Sequence, residues 1–116
     1  MSKFLNKIVN GNSLEILKKI PDRTFNLIFA DPPYNLQLKD TLLRPDQTTV
    51  KAVDEEWDKF KSYKDYDNFS KKWLSESKRI LKKGGALWVI GSYHNILRVG
   101  SIIQNLNMWI LNDIIW

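Results

Sequence analysis

The chain has 116 residues, 43% hydrophobic and 27% charged, with a formal net charge of +5, one histidine and no cysteine. That length suits one globular domain, and the composition excludes a disordered chain, a disulfide framework and thiolate chemistry. A single histidine argues against a histidine-based metal site, and no apolar run reaches the ~20 residues of a membrane span.

The N-terminal stretch MSKFLNKIVNGN has no long apolar core or small-residue cleavage site, so no signal peptide is expected and the protein is expected to be cytoplasmic. Phe4 to Val9 reads as a short strand, broken by Gly11 and Asn12. Ser13 is the expected N-cap of a helix whose apolar stripe is Leu14, Ile16, Leu17 and Ile20, ended by Pro21-Asp22. Thr24 to Ala30 is the next strand, apolar enough to be covered on both faces.

From Asp31 to about Asp65 the sequence turns charged and aperiodic, as functional loops in compact domains do. Helical spacing returns over Tyr66 to Lys83, with Tyr66, Phe69, Trp73, Leu74, Ile80 and Leu81 on the stripe. Lys71, Lys72, Lys78, Arg79, Lys82 and Lys83 fall mostly off it, as a solvated face. Gly84-Gly85 is a turn, Ala86 to Ile90 a third strand, and residues 94–105 a helix. Met108 to Trp116 is a fourth strand candidate. Strands alternating with crossover helices imply α/β architecture with about four strands, mostly parallel.

The chemistry concentrates in Asp31-Pro32-Pro33-Tyr34, at the carboxyl end of the second strand, where open α/β sheets bind ligands. Both prolines fix φ and lack an N–H, and each restrains the residue before it. The corner is therefore stiff and offers acceptors: the Asp31 carboxylate and nearby carbonyls, with the Tyr34 ring beside them. Its complement is an amine with two N–H groups on a planar ring, such as the exocyclic amine of a nucleobase. Two acceptors orient such an amine and stabilise the positive charge that develops when its nitrogen attacks an electrophile. In a duplex the base must first leave the stack. The net positive charge agrees with a polyanionic partner.

NLIFADPPYNLQL resembles motif IV of amino-group DNA methyltransferases in its adenine-N6 form. GNSLEILKKIPDRTFNLIFADPPY is similar to the lead-in to that motif in the beta class. LLRPDQTTVKAVDEEWDKF, LKKGGALWVIGSYHNI and MWILNDIIW are similar to the cell-cycle-regulated, GANTC-modifying branch of that class. The resemblance runs over nearly the whole chain. It implies an incomplete Rossmann-like methyltransferase fold, S-adenosylmethionine as methyl donor, and adenine in duplex DNA as acceptor. By that resemblance Asp31 and the Pro32 carbonyl hold the amine, Pro33 keeps the corner rigid, and Tyr34 stacks on the adenine.

Gly11-Asn12 matches a Gly-Asp near the cofactor, with Asn12 in place of the acid, so Asn12 and Asp31 are the candidate cofactor contacts. Ser92, Tyr93 and His94, at the end of the third strand, are placed to line the same cleft; for His94, a role as a helix-start residue competes with catalysis. In the loop, Lys39, Arg44, Lys51 and Trp57 are candidates for contact with the phosphate backbone or the flipped base, or are incidental surface charge. Two other readings remain open: a remnant that docks DNA or a partner without catalysis, and an enzyme acting on RNA or another planar amine.

The family's Phe-x-Gly-x-Gly cofactor motif is absent, since the glycines stand only at 11, 84, 85, 91 and 100. The chain is thus expected to be the N-terminal part of a catalytic domain, completed by a C-terminal half or a companion chain. Alone, it is expected to be marginal, oligomeric or aggregation-prone, because its strands would keep open edges.

Overall fold

The computed structural model describes residues 2–36, 45–46 and 58–116. After a 3-10 turn at Ser2–Phe4, its elements are α1 (Ser13–Leu17), β1 (Phe25–Ala30), α2 (Tyr63–Ile80), β2 (Leu81–Val89) and α3 (Ile96–Asn105). The strands pair in parallel. The α/β class and the parallel pair are as expected; the number of strands is not. Phe4–Val9 is the 3-10 turn followed by irregular backbone, and residues 108–116 have no regular structure. Both stretches have strand composition, but a strand exists only through a neighbour that takes its N–H and C=O groups. Among the described residues neither has one. Ile8 and Trp116 are accordingly almost wholly exposed.

The α1 cap lies one residue earlier than expected: Asn12, not Ser13, accepts the Leu14 N–H on its side-chain oxygen at 3.0 Å. Asparagine and serine cap by the same chemistry, so the turn at Gly11 decides which of the two is presented. In α2 the cap is Ser62, whose Oγ accepts the Asp65 N–H at 3.1 Å. Its buried face (Tyr66, Ser70, Trp73, Leu74, Ser77, Ile80) follows the helical period, and Lys71, Lys72 and Lys78 are exposed.

The core is one cluster: Tyr66, Trp73 and Leu74 of α2 with Val99 of α3, joined by Leu14 and Leu17 of α1 and by Ala30, Leu87 and Val89 of the sheet. Arg79 fastens α1 to α2. Its guanidinium donates to the carbonyls of Leu17 at 2.9 Å and Ile20 at 2.8 Å and pairs with Asp22 and Glu76. The last carbonyls of a short helix thereby meet a cation, which opposes their partial negative charge.

The helix α2 passes into β2 without a loop, and Thr24 donates its N–H to the Ile80 carbonyl at 2.7 Å, so β1 starts where α2 ends. The register pairs Phe25 with Leu81, then Leu27 with Ala86. The residues between Leu81 and Ala86 make a bulge, which is the form taken by the expected Gly84-Gly85 turn. Gly84 sits at φ 77°, and a Cβ on Gly85 would lie 2.9 Å from the Lys82 carbonyl oxygen and 3.1 Å from that of Asn26. Glycine is what lets the two backbones approach there.

Period-two alternation sorts the paired residues. Ala30 and Val89 face the core, whereas Leu27, Phe29 and Trp88 are exposed at 56%, 65% and 49%. The expectation that β1 is covered on both faces is corrected: the described residues cover one. Among them, no helix is long and apolar enough to cross a membrane.

Candidate active site

Beyond Ala30, β1 ends and the Asp31–Tyr34 corner begins. Its outer part is held by the corner itself. The Tyr34 hydroxyl donates to Asp31 Oδ1 at 2.7 Å, which leaves Asp31 Oδ2 without a hydrogen bond among the described residues. Asp31 is exposed, and the Pro32 carbonyl likewise has no partner among the described residues. Burial first, and then the bond to the Asp31 carboxylate, push the Tyr34 hydroxyl up to about 12, with the charges of Asp31 and Asp58 acting the same way. At neutral pH Tyr34 is a proton donor to Asp31.

The inner part is held by residues far along the chain. Tyr34 is the first residue after Asp31 that owns an N–H. That N–H and the next, on Asn35, both donate to Asp58 Oδ1, at 2.6 and 2.9 Å. The third, on Leu36, donates to Asp58 Oδ2 at 3.0 Å. Three successive amides converge on one carboxylate that is 3% exposed. The geometry needs the left-handed backbone of Asn35, at φ 58°, which asparagine tolerates better than most residues.

A second anchor comes from α2 and the end of β2. The Tyr66 hydroxyl donates to the Pro33 carbonyl at 2.7 Å and accepts from Asn95 Nδ2 at 3.0 Å. Asn95 Oδ1 in turn accepts the Ser92 N–H at 2.9 Å. Each oxygen and hydrogen in this chain has one assignment, because Pro33 O can only accept and Asn95 Nδ2 can only donate. Burial holds the Tyr66 hydroxyl above its ordinary range, partly offset by the bond from Asn95. The end of β1 is thus wired to the end of β2 through a side chain of α2.

Asp31, Pro32, Pro33 and Tyr34 therefore form one corner, as read from the sequence. Ser92 and His94 lie in the turn that leads into α3, the first linked to the corner through Asn95. The His94 ring stacks on the exposed Tyr93 ring with centroids 4.2 Å apart, and its Nδ1 is buried without a partner among the described residues. Asn12 is exposed and its side-chain oxygen caps α1, a structural task that sequence reading assigned to its neighbour. Lys39, Arg44, Lys51 and Trp57 lie outside the described residues. Among the described residues, no cluster of metal-ligating side chains forms.

Sequence reading missed Asp58 and Asn95 and took Tyr66 only as a core residue. The one available signal was local: after two prolines without N–H groups, Tyr34 and the turn-favouring Asn35 bring amide donors that must find an acceptor.

The parallel strand pair of this α/β domain thus ends in an exposed corner pinned from two sides. The chain belongs to the N6/N4 DNA methylase family, whose model matches residues 25–116. It is 53% identical over its whole length to the type II methyltransferase M.HinfI of Haemophilus influenzae, spanning 32% of that protein. It is 34% identical over 94% of its length to the type II methyltransferase M2.MboI of Moraxella bovis, of which it spans 40%. The chain thus covers well under half the length of these relatives.

Proposed function

We propose that this chain supplies the amine-holding part of a DNA methyltransferase that modifies adenine at N6 in duplex DNA. The reading includes the beta-class, Rossmann-like architecture and a GANTC target, which rest on the sequence resemblance. The observation that carries it is the corner at the end of β1: an exposed Asp31 oxygen and the neighbouring Pro32 carbonyl, both open to donors, on backbone that has no N–H of its own at positions 32 and 33. An exocyclic amine has two hydrogens for these two acceptors. Holding both directs the nitrogen lone pair out of the ring plane, and the adjacent carboxylate stabilises the charge that nitrogen acquires. Asp31 is one bond away from Tyr34, so the ring that would stack on the base is already fixed beside the acceptor.

S-adenosylmethionine supplies the methyl group in this reading. The residues present do not by themselves make its site: the Asn12 oxygen is spent on the Leu14 N–H, and Gly11 and Asn12 are exposed with nothing enclosing them among the described residues. The remainder of the cofactor site, and a companion segment or further copy to complete the sheet, belong to the same proposal. The experiment is Asp31→Ala in the complete protein, assayed with tritiated S-adenosylmethionine and a duplex bearing one GANTC site. Methyl transfer should vanish while circular dichroism stays unchanged. Retained transfer would refute the assignment.

A further inference from the structure

We propose that Asp58 is a positioning residue for methyl transfer: its carboxylate sets the backbone of Tyr34, and through it the Tyr34 ring and hydroxyl, against Asp31. The inference rests on the functional reading of the Asp31–Tyr34 corner and adds a residue from a different part of the chain. The rigid half of the corner ends at Pro33, so nothing covalent in the two prolines fixes the torsions of Tyr34. What fixes them is the anion. Tyr34 N–H donates to Asp58 Oδ1 at 2.6 Å, shorter than the other two bonds to this carboxylate. The Tyr34 hydroxyl then reaches Asp31 Oδ1 at 2.7 Å. The path from Asp58 to Asp31 is therefore two hydrogen bonds and one side chain.

The nest also explains why an aspartate is used. An amide presents one acceptor oxygen and an NH2 group, so Asp58→Asn can keep Tyr34 and Asn35 only by turning a donor towards the Leu36 N–H. Asp58→Glu keeps the anion but moves it outward by one methylene, so the amides can still be satisfied while Tyr34 shifts. A displacement of this size at a reacting group costs about a hundredfold in rate.

The test uses the complete protein, tritiated S-adenosylmethionine and a duplex with one GANTC site, alongside Asp31→Ala. Asp58→Asn should lower kcat about a hundredfold, with KM for the duplex unchanged. Asp58→Glu should melt like the parent protein yet keep the low kcat, which a purely structural anion would not. In a double-mutant cycle with Tyr34→Ala, the second substitution should add little, because both act through one ring. Full kcat in either Asp58 variant, or effects on kcat that simply multiply in the cycle, would overturn the role of Asp58 while leaving an inactive Asp31→Ala protein and the functional reading intact. An active Asp31→Ala protein would overturn both.

Discussion

Replacing Tyr66 with phenylalanine isolates the wiring between the two strand ends. The ring is 1% exposed and phenylalanine fills the same space, so no cavity opens and the core cluster with Trp73, Leu74 and Val99 is kept. Only the hydroxyl goes. With it go a donated bond to Pro33 O at 2.7 Å and an accepted bond from Asn95 Nδ2 at 3.0 Å. Asn95 is 1% exposed, so its amide is left buried beside an apolar ring edge with one donor stranded. A lost neutral bond costs about 1 kcal/mol and a stranded buried group about 1–3 kcal/mol, which puts the variant at about 2–4 kcal/mol less stable. The assay is urea unfolding followed by far-ultraviolet circular dichroism, at protein concentrations low enough to keep the chain dispersed. With a slope of about 2 kcal/mol per molar urea, the midpoint should fall by about 1–2 M. Adding Asn95→Ala should cost less in the Tyr66→Phe background than alone, because its partner has already gone. A midpoint unchanged by Tyr66→Phe, or strictly additive costs, would refute the claim that this hydroxyl joins the strand ends.

Gly85→Ala should destabilise the fold by about 1–3 kcal/mol, read by thermal melting, because two of the three close neighbours of the new Cβ, the Lys82 and Asn26 carbonyl oxygens, are backbone atoms that cannot swing aside. The phenol of Tyr34, raised to about 12 from the ordinary 10.0, contributes stability that is fully present below pH 10 and lost as pH rises through about 12. Absorbance titration at alkaline pH should show a late phenolate step that Tyr34→Phe removes, and an unchanged titration would count against the Asp31 bond. The bare sheet face at Leu27, Phe29 and Trp88 should make the chain self-associate, visible as a sedimentation coefficient that rises with concentration. A concentration-independent monomer would contradict it.

Where local rules sufficed, the sequence was legible. The α2 stripe through Tyr66, Phe69, Trp73, Leu74 and Ile80 and a helix within 94–105 follow from spacing alone. The helix expected to reach Lys83, however, stops at Ile80, and Leu81 to Lys83 already belong to β2. The stiffness of Asp31–Tyr34 follows from proline chemistry. The strands failed where pairing was required: Phe4–Val9 and 108–116 have the composition of strands, but composition does not supply a neighbour. The Lys82–Gly85 bulge was legible as a glycine turn but not as a break inside one strand, since that depends on register with Asn26. At the site, sequence showed which residues carry the acceptors and not which residues hold them. Asp58 sits in a stretch without periodicity and Asn95 at the start of an expected helix, and the role of each depends on contacts that only the folded chain creates.

The anchors of the corner also set when it can exist. Tyr34 waits for Asp58, 24 positions later, Pro33 waits for Tyr66, 33 positions later, and Tyr66 in turn for Asn95, 29 positions beyond it. A nascent chain on the ribosome exposes Asp31 long before any of these partners has emerged. These are non-local contacts, though less so than the strand pairing of Phe25 with Leu81 and Ala30 with Val89, so the corner takes shape only after distant parts of the chain have met. An excised peptide spanning residues 25–36 would carry every acceptor and none of the shape.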